Sequence, residues 1–158
     1  MHALVLSTSL GGLAALLVMA AWGDIRRFTI PNWLNAAIAG LAIAYWWGAQ
    51  LALIDIGVQI ALAIVVFLIF AGAFAIGAMG GGDVKMIAAL ALWLRPGELL
   101  TMLVVMSLAG GVLTLVLLGR HRLLRREGLP EIPYGVAISV AAILSFTFFY
   151  EPILNQYA

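Results

Sequence analysis

Cysteine is missing from all 158 residues. No disulfide, Cys-ligated zinc or thiol nucleophile is therefore open to this chain. Histidine is scarce: His2 stands near the start, His121 stands in an arginine cluster, and no H-E-x-x-H spacing occurs. A zinc site is not expected, and neither is any cofactor. Charge is scarce as well. Charged residues make up 9% of the chain and hydrophobic residues 65%, whereas a soluble domain carries about 25% charged residues. The formal net charge is +1, and no basic tail offers a surface for nucleic acid. Internal repeats and linkers are absent. Mean hydropathy is +1.16. These absences leave an all-α integral membrane protein, a single membrane-embedded domain over residues 1–158.

A spanning helix needs about 20 mostly apolar residues. The sequence predicts six transmembrane helices, over residues 3–23, 33–48, 53–76, 83–94, 99–118 and 134–150. The first run has no basic leading region and no clear A-x-A site before Asp24, so it reads as a retained span. Tyr45, Trp46 and Trp47 suit an interfacial belt. Basic residues mark cytoplasmic loops. Arg26, Arg27, Lys85, Arg120, Arg122, Arg125 and Arg126 all fall on one side, and Arg95 alone falls on the other. That asymmetry predicts both termini extracytoplasmic, with Asp24 and Asp83 at the cytoplasmic side. Asp55, Glu98 and Glu151 fall on the outer side, and Glu127 and Glu131 serve as charge balance in the last cytoplasmic loop.

The fourth span is short. Residues 83–94 give a helix of about 18 Å at ~1.5 Å per residue, against a hydrocarbon core of ~30 Å. With Arg95 at the outer surface, Asp83 lies roughly 12 Å below the inner one. The preceding glycines then form irregular backbone, tolerated at such depth only where protein or a wet cavity surrounds it. The alternative is a helix continuing through Pro96 with Asp83 at the surface.

An ionisable residue at membrane depth is costly and marks a functional site. Asp24 closes the first span and Asp83 opens the fourth, at comparable positions. Two carboxylates brought together can share a proton, one serving as acid while the other serves as base. Such a pair can activate water against a peptide carbonyl. Gly80, Gly81 and Gly82 allow a substrate backbone to come close. Each aspartate also has a plainer reading: Asp83 as an N-cap, and Asp24 as a solvated residue paired with Arg26 or Arg27. Pro31 sets a turn, and Asn32 can cap the second span. Lys85, the one lysine, places positive charge near the pair or meets lipid phosphate. Gly110 and Gly111 permit close helix packing.

The segments "GDIRRFTIPNWLN" (23–35) and "GGGDVKM" (80–86) resemble the two signature segments of type IV prepilin peptidases, membrane aspartic proteases of the GxGD class. "IPYGVAI" (132–138) is similar to that family's proline-containing approach to its final span. The resemblance implies cleavage of the leader peptide from type IV or Flp-type prepilins at the cytoplasmic face of the bacterial inner membrane. Asp24 and Asp83 would be the catalytic pair, with Gly80, Gly81, Gly82, Lys85, Pro31 and Asn32 binding substrate or shaping the site. Long family members carry an additional cytoplasmic segment with paired CxxC motifs and also methylate the new pilin N-terminus. Here the first span runs straight into Asp24, which looks like the short, peptidase-only form without N-methyltransferase activity. The partners implied are prepilin and pseudopilin precursors and membrane lipid, not nucleic acid; homo-oligomerisation is left open.

Other classes compete. A Ser–Lys dyad would pair Lys85 with Ser107, Ser139 or Ser145, but no spacing supports it. A small proton-coupled transporter would use Asp24 and Asp83 as a relay, and would carry broken helices in both halves. A non-catalytic secretion subunit would survive loss of both aspartates.

Overall fold

The computed structural model describes residues 1–123 and 132–157. Six helices follow in order: α1 (His2–Arg27), α2 (Asn32–Gly48), α3 (Leu53–Ala75), α4 (Gly81–Ala91), α5 (Pro96–Leu123) and α6 (Tyr134–Tyr157). No strand occurs among the described residues. Arg125, Arg126, Glu127 and Glu131 lie outside the described residues. By length and composition, three stretches can cross a membrane: α1, α3 and residues Pro96–His121 of α5.

Helix ends follow local chemistry. α1 continues one turn beyond the expected residue 23, so Asp24 sits inside its final turn. It stops at Phe28, which takes a left-handed conformation (φ 51°, ψ 33°) and donates its N–H to the Asp24 carbonyl at 2.9 Å. The chain is then extended at Pro31 (φ −68°, ψ 146°), which is the N-cap of α2. Asn32, expected as that cap, is the first helical residue instead, and its side chain turns elsewhere. Gly80 is likewise the N-cap of α4, so Asp83 occupies the first turn and not the cap. α4 ends at Ala91, and Pro96 opens α5. A first helical position suits proline, whose missing N–H would have no partner there. The helix therefore does not continue through Pro96. At 11 residues, α4 is about 16 Å long at ~1.5 Å per residue.

Unlike a soluble protein, this bundle is apolar on its surface as well as in its core. The short helix α4 lies against α2, α3 and α6. Its Met86, Ile87, Leu90 and Ala91, and the following Trp93 and Leu94, are fully buried. The long helix α3 instead exposes Ile54, Ile64, Leu68 and Ile69. Lipid tails are as apolar as leucine, so release of water cannot hold α4 inside; close packing and matched polar groups must.

Those polar matches are specific. Trp46 Nε1 donates to Gln59 Oε1 at 2.6 Å and to the Leu92 carbonyl at 2.8 Å. This satisfies an acceptor that the end of α4 would leave orphaned. Trp93 Nε1 donates to the Ile38 carbonyl at 3.1 Å, and the Trp93 ring stacks on Tyr45 with centroids 5.1 Å apart. At the opposite end, Asn35 Nδ2 donates to the Gly82 carbonyl at 3.1 Å. α2 thus grips α4 at both ends.

Candidate active site

One cleft of about 490 Å³ opens where the C-terminal turn of α1, the glycine run before α4 and the start of α6 meet. Its walls include Asp24, Ile30, Gly80, Gly81, Gly82, Asp83 and Tyr134. Asp24 is 4% exposed and Asp83 9%. The two carboxylates interact electrostatically across this space.

Each carboxylate rests on the N-terminus of a helix. Asp24 Oδ2 accepts the Gly135 N–H at 2.7 Å, and the Val136 N–H also faces this carboxylate. Both donors lie in the first turn of α6, where N–H groups have no partner within the helix. Asp83 turns back onto the N–H of Gly80 at the start of its own helix, as an acidic third residue does in a capping box. Burial without such donors would cost each carboxylate several kcal/mol, so the donors explain how two acids sit in an apolar bundle.

The solvated reading of Asp24 is not what the fold shows. Arg26 stacks instead over Trp22, 4.3 Å from the ring centroid.

Space around the acids is limited. A Cβ on Gly135 would stand 2.9 Å from Asp24 Oδ2 and 2.8 Å from Ile30 Cδ1. A Cβ on Gly82 would stand 3.1 Å from both Ile30 Cβ and the Ile30 carbonyl oxygen. Ile30 is therefore wedged between the glycine run and α6, at the junction of the elements that carry the acids.

The residues singled out in the sequence do not all converge. Asp24, Asp83, Gly80, Gly81 and Gly82 line the cleft. Pro31 shapes the path into α2 without lining it. Lys85 and Asn32 lie on a separate groove between α2, α3 and α4, joined by a 2.7 Å bond from Lys85 Nζ to Asn32 Oδ1. Lys85 bonds to no serine: Ser107 Oγ donates to the Leu103 carbonyl, and the buried Ser139 and Ser145 hydroxyls have no partner. Gly110 accommodates the Tyr134 ring, 3.3 Å from where its Cβ would stand, whereas Gly111 meets nothing.

Sequence reasoning missed three residues: Gly135, Ile30 and Asn35. Gly135 had a visible signal, a glycine directly after Pro-Tyr at the start of a predicted span. Among the described residues, no group of three or more His, Asp or Glu side chains gathers to hold a metal ion.

Two buried carboxylates on one cleft can hold a single proton between them, one accepting from a water while the other donates.

A family model described as the type IV leader peptidase family matches residues 12–115, about two-thirds of the chain, from within α1 to within α5. Both aspartates fall inside the match. No curated protein and no solved structure matches the chain.

Proposed function

The chain belongs to the type IV leader peptidase family, and from that premise we propose that it is an aspartic endopeptidase using Asp24 and Asp83 as its catalytic pair. The observation that carries this reading is the burial of both carboxylates on one cleft beside a glycine run. One carboxylate, ionised, takes a proton from a water. The resulting oxygen attacks the scissile carbonyl while the other carboxyl gives its proton to the carbonyl oxygen. The tetrahedral intermediate then collapses, the C–N bond breaks, and the amine leaves with a proton returned from the pair. Gly80, Gly81 and Gly82 offer the substrate backbone a wall without side chains.

The substrates are prepilin and pseudopilin precursors, cut at the cytoplasmic face of the bacterial inner membrane, and no N-methyl transfer accompanies cleavage. The chain is one membrane-embedded domain with six spans and both termini extracytoplasmic. The fourth crossing needs more than α4: a helix of about 16 Å cannot cross ~30 Å of hydrocarbon alone, so on this reading the glycine run dips inside the protein to complete it.

The test is cleavage of a prepilin by the purified chain in detergent, beside Asp24→Asn and Asp83→Asn. Wild-type cleavage lost in both variants is the expected result. If either variant cuts as well as wild type, that residue is not catalytic. If folded wild type cuts no prepilin, a proton-flux assay tests the relay reading.

A further inference from the structure

A second cavity lies on the far side of α4. Asp83 and Lys85 are two residues apart, which turns their side chains about 200° from one another around the helix axis. Asp83 faces the cleft, and Lys85 faces a groove of about 550 Å³ between α2, α3 and α4.

The groove is apolar except at one end. Ala36, Ala39, Ala63, Ile64 and Phe67 are among its walls, and Lys85 and Asn32 stand at its mouth. That mouth is at the same end of the bundle as Arg26, Arg27 and the cleft, since Asn32 follows α1 closely and Lys85 follows Asp83. Lys85 is exposed, and its bond is to the neutral amide of Asn32. Among the described residues no carboxylate pairs with it. Its positive charge is thus uncompensated by the protein, at the mouth of an apolar slot.

Length decides the kind of occupant. From Lys85 to Leu92 along α4, and from Asn32 to Ala39 along α2, seven residues of helix cover about 10 Å. The walls run no farther than Leu92 beyond α4, Ala39 on α2 and the stretch from Ile60 to Phe67 on α3. A transmembrane helix needs a track of ~30 Å, whereas one leaflet of hydrocarbon is about 15 Å deep. An apolar groove of about 10 Å with a cation at its mouth matches the upper part of a single acyl chain beneath an anionic headgroup.

We propose that this groove is a binding site for an anionic phospholipid of the cytoplasmic leaflet, with one acyl chain in the slot and the headgroup phosphate on Lys85 and Asn32. The site is separate from the cleft, so its occupancy is read by binding and does not depend on the peptidase reading.

The experiment is native mass spectrometry of the full chain in detergent, titrated with palmitoyl-oleoyl phosphatidylglycerol, with the phosphatidylcholine of the same chains, or with glycerol 1-phosphate. The expected result is a preference of about fivefold for phosphatidylglycerol over phosphatidylcholine, the size of one lysine's attraction at a membrane surface. Lys85→Gln removes the preference and Lys85→Arg keeps it. Ala39→Phe, which fills the slot without touching the charge, weakens both lipids, and glycerol 1-phosphate does not compete. Equal retention of phosphatidylglycerol by wild type and Lys85→Gln would overturn the proposal. So would competition by glycerol 1-phosphate, or displacement of the lipid by the apolar segment of a prepilin.

Discussion

Gly135, at the start of α6, donates its backbone N–H to Asp24 Oδ2 on α1 at 2.7 Å, across 111 positions of sequence. The first turn of α6 thereby holds a carboxylate that α1 presents, and the room for this contact depends on a residue without a side chain. Gly135→Ala places a methyl group 2.9 Å from that oxygen and 2.8 Å from Ile30 Cδ1. The expected cost is about 1–3 kcal/mol of stability, as for other overpacked sites, with prepilin cleavage reduced. Adding Ile30→Val removes the Cδ1 clash but not the carboxylate clash. The double variant is expected to regain thermal stability while activity stays low; equal recovery of both would show that the glycine serves packing alone.

Asp24→Asn and Asp83→Asn keep the shape of each side chain and remove its exchangeable proton. Acid–base catalysis by positioned groups contributes typically 10²–10⁴-fold, so single-turnover cleavage is expected to fall by about that factor in each. The double variant is expected to be little worse than either single one, because the pair acts as a unit. Additive losses would argue against a shared proton.

The pH profile follows from the same sharing. On the proposed mechanism, cleavage needs one proton on two carboxyl groups. As pH rises through the first macroscopic step, one carboxyl ionises and activity appears. As pH rises through the second, the remaining proton leaves and activity falls. A bell-shaped dependence of kcat/KM is expected, and both limbs belong to the pair. A profile that rises to a plateau would mean that only one acid titrates in the active range.

Asn35→Ala removes the 3.1 Å bond to the Gly82 carbonyl, which is left with only the bond it accepts within α4. The net loss of one such hydrogen bond costs about 0.5–1.5 kcal/mol. Because the bond steadies the glycine run immediately before Asp83, kcat is expected to fall more than KM changes. Thermal denaturation in detergent and steady-state cleavage measure the two effects separately.

Trp46→Phe keeps the ring and deletes the N–H that joins Gln59 to the Leu92 carbonyl. Two buried acceptors lose their donor. The expected result is a loss of stability of about 1–3 kcal/mol or more, with faster amide exchange at the C-terminal end of α4.

The helices were legible because long apolar runs and proline or glycine stops are local signals. Boundaries shifted by a turn where the deciding group was not local: α1 runs on to Arg27 because Asp24, a polar residue, finds its partner on α6. The two aspartates were legible as acids in hydrocarbon. Of the two readings of Lys85, a charge near the pair or a partner for lipid phosphate, sequence adjacency to Asp83 suggested the first, whereas the helical period turns it toward the other groove. Ile30 and Asn35 fall inside the signature-like segment 23–35, but nothing in the sequence showed what either would touch. An isoleucine between a turn and a proline, or an asparagine in the first turn of a helix, acquires its role only from what folds against it.

The contact between α6 and Asp24 has a consequence for biosynthesis. Both aspartates leave the ribosome long before Gly135 does, and α4 cannot rest in lipid on the strength of its own 11 residues. A nascent chain halted ahead of α6 would hold both acids yet lack the donors that seat one of them. On the proposed aspartic mechanism, such a chain would gain its activity only once α6 has been threaded into place.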